Sequence, residues 1–275
     1  MALENAQFID AMRVFWGAAG PREPAEGALD KALGYPWERP GGSFVLRGEE
    51  VELLPGDDAE ARDAIVESFT GERHPLLAFG GNAAPTWLAA KFAHFAEEGD
   101  RTVLVLSGTL HDFDVGPAAS VSPIGYMPAT LFASPGTSVP AALVWATPTQ
   151  VTQLTWSEIP YRLGRLDGAR FTLDAGEATV EDLFAYVHRL GSFCIDGSPV
   201  ALAAVPAAGR TATAMTQQQL LDHVATLVLA PGADAGDLVQ AVHDDMAAVN
   251  GGLAETVWPA ALQLQASWTP YPAAT

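Results

Sequence analysis

The stretch PLLAFGGNAAPTWLAAKFAHFAEE, residues 75–98, decides the fold of this chain. It opens with a short apolar run that is typical of a buried strand, and the run ends in a tight turn over Gly80–Asn82. Pro85 suits the first position of a helix, which we predict to continue to about Glu97. Two adjacent glycines let the backbone approach a ligand, and amides at a helix start can stabilise an anion. The same residues also suit an ordinary turn with a helix cap, so this stretch alone leaves both interpretations open.

Short strands separated by turn signals follow this stretch as far as about residue 206. Three apolar runs predict buried strands: RTVLVLSG at 101–108, MPATLFAS at 127–134 and PAALVWAT at 140–147. We predict that Pro135-Gly136 forms the turn between the last two. Two hairpins are predicted further on, across Asp167-Gly168 and across Asp196-Gly197. Together with the helices, this pattern favours an α+β fold built on a small mixed β-barrel.

The segments on either side of this region have a different sequence pattern. Before it, the pattern predicts a helix over 3–17, a Pro/Gly-rich linker or ordered surface loop over 34–42, and a helix over 58–69. From Thr216 onward the pattern becomes helical. We therefore predict three segments: an N-terminal helix-and-strand extension over 1–74, the barrel over 75–206, and a helical C-terminal extension over 207–275.

The composition argues against several classes of function. The chain has 14 Lys and Arg against 33 Asp and Glu, a formal net charge of −19 at pH 7. Because such a surface repels phosphate backbones and anionic lipids, we expect neither nucleic acid nor a membrane as a partner. No apolar run approaches the roughly 20 residues that span a bilayer. The single cysteine, Cys194, and the lack of zinc-type Cys/His spacings indicate a cytoplasmic protein without a metal site.

Glu158 is the main candidate for acid–base chemistry. It lies in QLTWSEIPYRL, between a short helix that we predict to begin at Pro148 and a predicted strand. Trp156, Ile159 and Pro160 give it apolar neighbours, and a carboxylate in such a setting can act as a general base near neutral pH. Glutamates at helix ends are also frequently exposed and inert, so that alternative stays open.

The remaining polar candidates favour structural roles. His111, Asp112 and Asp114 are side chains of metal-ligand type, but no second cluster with ligand spacing supports a metal. We expect Asp114 and its neighbours to cap turns. The serines lack a nucleophile elbow, which argues against a serine hydrolase. Cys194 lies among apolar residues of a predicted strand and is expected to be inert packing.

The order of these pieces resembles the γ-glutamylcyclotransferase family. That family carries Tyr-Gly-Ser-Asn between a strand and a helix, and this chain has FGGN there, at 79–82. The family's essential Glu follows about 75 residues later, after a short helix and before a strand with a Tyr. Glu158 and Tyr161 match these two positions. The intervening strands look like the family's strand order, and the resemblance covers roughly residues 75–206.

The resemblance implies a γ-glutamylcyclotransferase-like barrel with flanking helices, and an enzyme of the transferase or lyase type that needs neither a metal nor an organic cofactor. Glu158 would act as general acid/base and take a proton from the ammonium of a small γ-glutamyl compound. The freed amine would attack the γ-carbonyl and release 5-oxoproline, while backbone N–H groups of the turn hold the oxyanion. The residues that the resemblance places in substrate binding are Phe79, Gly80, Gly81, Asn82 and Tyr161.

Two departures from the family pattern leave alternatives open. Phe79 lacks the hydroxyl of the family's Tyr, and Gly81 lacks the side chain of its Ser. These losses favour a non-catalytic small-molecule-binding or scaffold protein on the same barrel. The N- and C-terminal extensions could cover the pocket or form the interface of a homodimer. An amide hydrolase would use the same site, with water in place of the internal amine.

Overall fold

The computed structural model of the chain describes residues 26–174, 179–181, 183–266 and 268–271. The helix predicted over 3–17 lies outside these residues. The described residues form six α-helices: α1 Ala28–Leu33, α2 Ala59–Ser68, α3 Pro85–Phe92, α4 Pro148–Ser157, α5 Gln217–Val228 and α6 Ala235–Thr256. They also form thirteen strands: β1 Phe44–Arg47, β2 Glu50–Leu53, β3 His74–Ala78, β4 Thr102–Pro117, β5 Ala129–Ala146, β6 Tyr161–Leu166, β7 Arg170–Leu173, β8 Thr179–Val180, β9 Leu183–His188, β10 Cys194–Ile195, β11 Ser198–Leu202, β12 Thr213–Met215 and β13 Trp268–Pro270.

The strand, turn and helix predicted over residues 75–98 are present. Strand β3 has a buried second half, and its backbone pairs on both sides, parallel to β9 and antiparallel to β5. Helix α3 begins at Pro85 as predicted but ends at Phe92, before the predicted end at Glu97. Because β3 is an interior strand, the turn that follows it lies near the middle of one end of the sheet.

Ten of the described strands form one sheet with the path order β13-β6-β9-β3-β5-β4-β1-β2; β7 pairs with β4, and β8 pairs with β7. A second sheet contains β10, β11 and β12. Strand β1 comes from the predicted N-terminal extension and β13 from the predicted C-terminal extension. All three predicted segments therefore contribute strands to the same sheet, and the fold class is α+β.

The two strands predicted around a Pro135-Gly136 turn are one strand. Strand β5 runs through this dipeptide and pairs with β4 from Ala129 to Trp145. A register shift on β4 follows His111, where Asp112 has a φ of 63° and accepts a hydrogen bond from Gly136 N at 2.9 Å. The pairing stops at His111 and Ser138 and resumes at Phe113 and Ala133, so the two strands continue past this irregularity.

The hairpin predicted across Asp167-Gly168 is wrong. Strand β6 pairs with β9 and β13, whereas β7 pairs with β4 and β8, so the two strands on either side of the turn do not pair with each other. The hairpin predicted across Asp196-Gly197 is confirmed for the short β10–β11 pair. The hairpin does not extend back to β9, which pairs in the large sheet instead.

The helices begin where their capping residues predict. Asp58 caps α2. Thr216 caps α5: its hydroxyl oxygen accepts the N–H of Gln219, and its own N–H donates to Oε1 of Gln219. Helix α6 continues to Thr256, with a break in its helical geometry at Asp245. The buried faces of α1, α5 and α6 join one core cluster on the sheet, and those of α3 and α4 join a second. No helix within the described ranges is both long and apolar enough to cross a lipid bilayer.

Asp114 does not cap a turn, which corrects the sequence prediction. It lies within β4 with a fully buried side chain, and the guanidinium of Arg210 binds it through two hydrogen bonds of 2.7 and 2.8 Å. Arg210 also donates to the carbonyl oxygen of Val205 at 2.8 Å. This bidentate ion pair connects the loop before β12 to β4, three residues before the end of that strand.

Candidate functional site

A cavity of about 370 Å³ lies where the turn after β3 meets the end of α4. The structure brings together here all six residues selected from the sequence: Phe79, Gly80, Gly81, Asn82, Glu158 and Tyr161. The other walls are mainly aromatic and aliphatic, and they include Tyr35, Trp87, Ile124, Tyr126, Tyr186 and Met246. Distant parts of the chain therefore converge on one cavity.

Helix α4 positions Glu158 at the cavity. The helix begins with a capping box in which Thr147 and Gln150 exchange side-chain and backbone hydrogen bonds. Val151 and Leu154 are buried on its inner face and fix it against the sheet. Glu158 is the first residue to leave helical geometry, with φ −112° and ψ 40°. Its side chain therefore extends from the helix end and lines the cavity.

Glu158, Lys91 and Asn82 form a hydrogen-bonded cluster. The Nζ atom of Lys91 donates to Oε1 of Glu158 at 2.6 Å and to Oδ1 of Asn82 at 2.7 Å, and Nδ2 of Asn82 donates to the same Oε1 at 3.0 Å. The side chains of Lys91 and Glu158 are only 10% and 16% exposed, so water screens this ion pair weakly. Among the described residues none donates to Oε2, which leaves one carboxylate oxygen for a ligand.

Close aromatic contacts explain the two glycines of the turn. A Cβ atom on Gly80 would lie 2.5 Å from the hydroxyl oxygen of Tyr35, and one on Gly81 would lie 2.8 Å from the Trp37 ring. Real Cβ atoms do not approach so closely without a shift of the neighbour. Trp37 therefore occupies the space that a side chain at position 81 would need.

The loop predicted over 34–42 as a linker or surface loop is an ordered loop that packs on this turn. Tyr35 is buried, stacks on Tyr126 with ring centroids 4.2 Å apart, and lines the cavity. Arg39 donates to the carbonyl oxygen of Phe79 at 2.6 Å and so holds the turn from outside. The site thus depends on residues that precede the region covered by the family resemblance.

We expect Gly80→Ala to lower the free energy of unfolding by about 1–3 kcal/mol, the usual cost of overpacking. Tyr35 cannot move aside easily because its ring is stacked and its hydroxyl accepts a hydrogen bond from Ala129 N at 2.8 Å. Urea unfolding of the variant measures the change in the free energy of unfolding. Gly56→Ala is the matched control, since a Cβ there meets no atom within 4 Å. Equal stability of the two variants would contradict the proposed contact.

Three tyrosines close to Glu158, of which Tyr35 is buried and Tyr126 and Tyr161 are partly buried, remain protonated at neutral pH. Burial raises the pKa of Tyr35 to about 12 and the pKa values of Tyr126 and Tyr161 well above their usual value, and the charge of Glu158 adds to each shift. The hydroxyl of Tyr161 donates to the carbonyl oxygen of Ala129 at 2.8 Å. The hydroxyl of Tyr161 is therefore engaged by the backbone.

A buried imidazole holds Ser120 at the cavity wall. The Nε2 atom of His188 lies 2.9 Å from Oγ of Ser120, and its Nδ1 accepts the N–H of Leu190 at 3.2 Å. Because Nδ1 is an acceptor, Nε2 carries the proton and donates to Ser120. Burial, with the nearby charge of Arg189, lowers the pKa of His188 to about 3. The imidazole is thus neutral and does not serve as a base for the serine.

This depressed pKa predicts a loss of stability in acid. The unfolded chain binds a proton on His188 below about pH 6.5, whereas the folded chain does not bind it until about pH 3. Stability from this group is therefore complete above pH 6.5 and declines by about 1.4 kcal/mol per pH unit between these values. Urea unfolding at pH 7.5, 6.5 and 5.5 should show a steeper decline for wild type than for His188→Gln, while exposed His94→Gln follows wild type. Parallel curves for all three proteins would contradict the assignment.

The sequence analysis missed Lys91, Tyr35 and Ser120. The chain has two lysines, and the apolar periodicity of the helix gives no sign that Lys91 turns toward a carboxylate 67 positions away. Tyr35 had a weak signal, since GYPWERPGG contains two aromatic residues in a Pro/Gly-rich segment. Ser120 had none, because its partner His188 becomes a neighbour only when the sheet forms.

Two other side chains considered in the sequence lie away from the cavity. His111 makes contacts of 3.1 and 3.0 Å with the hydroxyls of Ser138 and Thr172. Within the part of the chain that the structure describes, no group of three His, Cys, Asp or Glu side chains could hold a metal ion. Cys194 is half-buried, and burial raises the pKa of its thiol, which disfavours the reactive thiolate.

Comparison of the chain with protein-family models, curated proteins and solved structures found no match in any of the three. The resemblance to the γ-glutamylcyclotransferase family therefore stays a prediction from the sequence. The function has to be argued from the cavity itself.

Proposed function

We propose that this chain is a γ-glutamylcyclotransferase-like enzyme that releases 5-oxoproline from a γ-glutamyl compound by intramolecular acyl transfer. One observation carries the proposal: the carboxylate of Glu158 is hydrogen-bonded to the side chain of Asn82, the last residue of the glycine turn, inside a shared cavity. This contact supports the proposal, because an acyl transfer needs a carboxylate base close to donors such as the backbone amides of the turn.

In the proposed reaction Glu158 removes a proton from the α-ammonium group of the substrate. The amine then forms a bond to the γ-carbonyl carbon, and N–H groups of Gly80, Gly81 and Asn82 hold the oxyanion. Collapse of this intermediate breaks the bond to the leaving nitrogen as Glu158 returns the first proton to it. The ring nitrogen then gives up its second proton to the freed carboxylate of Glu158, which passes it to the departing amine, so that the amine leaves as an ammonium. The products are 5-oxoproline and a free amine or amino acid, and no electrons are exchanged with a cofactor.

The aromatic surroundings support this chemistry. The cavity holds the flexible γ-glutamyl chain against Tyr35, Trp87 and Tyr126, and holding it folded makes ring closure more frequent. Tyr35 also brings a phenol hydroxyl to the turn, where Phe79 lacks one. We include in this proposal the barrel that the resemblance implies and the cytoplasmic location that the single cysteine favours.

Binding without turnover is the second candidate, and the Lys91–Glu158 contact favours it. The ammonium of Lys91 already occupies one oxygen of the carboxylate that the mechanism uses as a base, at 2.6 Å. A cavity with this ion pair could retain a γ-glutamyl compound or 5-oxoproline and leave it unchanged. An amide hydrolase on the same residues would differ from both, because water would replace the internal amine.

Product analysis separates the three functions. The purified full chain is incubated with γ-L-glutamyl amides that differ in the leaving amine, and the products are identified by mass spectrometry. The proposed function predicts 5-oxoproline together with the free amine in equal amounts, above a control without protein. Glutamate together with the amine would show a hydrolase. Stabilisation against heat by these compounds without product would show binding alone, and either of these two results overturns the cyclotransferase proposal.

A further inference from the structure

Lys91 has a donor that the protein does not use. An ammonium group carries three N–H bonds. Within the described residues, the Nζ atom of Lys91 donates to Oε1 of Glu158 and to Oδ1 of Asn82, and no third acceptor is present. Lys91 is only 10% exposed and lines the cavity, so bulk water solvates this remaining donor poorly.

The charges on the cavity wall form a single opposed pair. Among the described residues that line the cavity, Lys91 and Glu158 are the ones with charged side chains. Their atoms Nζ and Oε1 lie 2.6 Å apart, and each group has one hydrogen-bonding position left over, the third N–H and Oε2. A ligand that places a positive group beside a negative group would satisfy both positions at once.

We propose that Lys91 binds the α-carboxylate of the ligand and thereby selects compounds with a free α-amino acid group. The ammonium of such a ligand lies against Oε2 of Glu158, and its carboxylate accepts the third N–H of Lys91. The assignment of a γ-glutamyl ligand rests on the proposed function, but the carboxylate contact can be measured by itself. Lys91 is thus a specificity-determining residue in addition to its hydrogen bond to Glu158.

Electrostatics favour this arrangement over the binding of a neutral ligand. Each charged group of the ligand faces an opposite charge, and the surrounding aromatic walls limit screening by water. A charge-assisted hydrogen bond in such a setting is among the strong ones. A ligand whose carboxylate is replaced by hydrogen or an amide would leave the third N–H of Lys91 unpaired. We therefore expect strong discrimination against it.

The test compares two lactams that differ only in the carboxylate, 5-oxoproline and 2-pyrrolidone. Their dissociation constants are measured by calorimetry with wild type, Lys91→Met and the matched control Lys31→Met. Lys31 is the other lysine of the chain and is exposed. We expect wild type and Lys31→Met to bind 5-oxoproline at least about tenfold more tightly than 2-pyrrolidone. Lys91→Met should bring this ratio to one or below.

A double variant excludes an indirect effect through Glu158. In Lys91→Met the unpaired carboxylate of Glu158 would repel 5-oxoproline, so Lys91→Met/Glu158→Gln removes both charges. The ratio is close to one in the double variant if Lys91 contacts the ligand, and its recovery would overturn the inference. A missing preference in wild type, or an unchanged ratio in Lys91→Met, would overturn it too. Neither lactam is turned over, so failure of the product assay alone rejects the proposed function and not this contact.

Discussion

Replacement of Glu158 by Gln should lower the rate of 5-oxoproline formation by about 10²–10⁴-fold, the range that general acid–base groups contribute. The amide oxygen of the introduced side chain can still accept the hydrogen bonds that Oε1 receives from Lys91 and Asn82. The side-chain shape is almost unchanged, but an amide cannot take the proton from the substrate ammonium. The loss should therefore fall on kcat. Initial rates at several substrate concentrations, with 5-oxoproline as the measured product, check this.

The stability of the same variant tells a catalytic loss from a folding defect. The substitution replaces an ion pair by a hydrogen bond to Lys91, which we expect to cost about 1–3 kcal/mol of unfolding free energy. Most of the folded population should remain, since domains are typically stable by about 5–15 kcal/mol. Glu67→Gln, on the exposed face of α2, is the control for loss of a carboxylate and should keep full activity. Unchanged turnover in Glu158→Gln would refute its role as the base.

Local signals predicted most helix starts correctly, because a cap involves residues that are neighbours in the chain. Asp58 accepts the N–H of Ala61, and Thr216 exchanges hydrogen bonds with Gln219, both within three positions. Pro148 begins α4 as predicted, for the same local reason. Such contacts join residues three positions apart, so the local sequence is enough to predict them.

Strand partners were predicted less well, because they depend on which distant strand fills the space. The turn at Asp167-Gly168 is locally a good hairpin turn, and Gly168 has the positive φ of 74° that such turns use. Nevertheless β6 pairs with β9 and β13. Gly164 makes room for the ring of Trp268 from more than a hundred positions away. No window of sequence around the turn contains that information.

The residues of the candidate site also fall into two groups, those that the sequence predicted and those that it did not. The glycine turn and Glu158 were found because their order along the chain resembles a known pattern. The contacts that Lys91 and Tyr35 make are set by packing across 67 and 94 positions, to Glu158 and Ala129. In the sequence, Lys91 lies in a segment typical of an ordinary helix, and Tyr35 lies in a predicted loop. The sequence thus pointed to residues that line the cavity, while the ion pair between Lys91 and Glu158 became visible only in three dimensions.

The contact between Asp114 and Arg210, outside the site, is another long-range contact that the local sequence did not predict. Asp114 belongs to a His/Asp cluster that follows a predicted strand, and we predicted that it caps a turn. Its carboxylate is instead fully buried and bound by a guanidinium 96 positions later. Three hydrogen bonds reach this carboxylate, two from Arg210 and one from the backbone N–H of Val115 at 2.8 Å. Such a pair contributes modestly as a whole, but the loss of one partner leaves a buried charge uncompensated.

Arg210→Met should therefore lower the free energy of unfolding by about 3–5 kcal/mol, the cost of breaking a buried ion pair on one side. Methionine fills much of the space of the arginine stem but cannot donate to Asp114 or to the carbonyl oxygen of Val205. Urea unfolding followed by circular dichroism measures the change. Arg162→Met, on an exposed position of β6, is the control and should stay within about 0.5 kcal/mol of wild type.

A second substitution decides whether the buried charge causes the loss. In Asp114→Leu/Arg210→Met no charge remains in the core, and replacing a whole buried ion pair by apolar groups is often neutral. The double variant should thus recover most of the stability that Arg210→Met loses, although the carbonyl of Val205 still lacks its donor. If it were less stable than Arg210→Met by the further cost of Asp114→Leu alone, the two residues would act independently. The ion pair would then not be what holds the loop before β12 to β4.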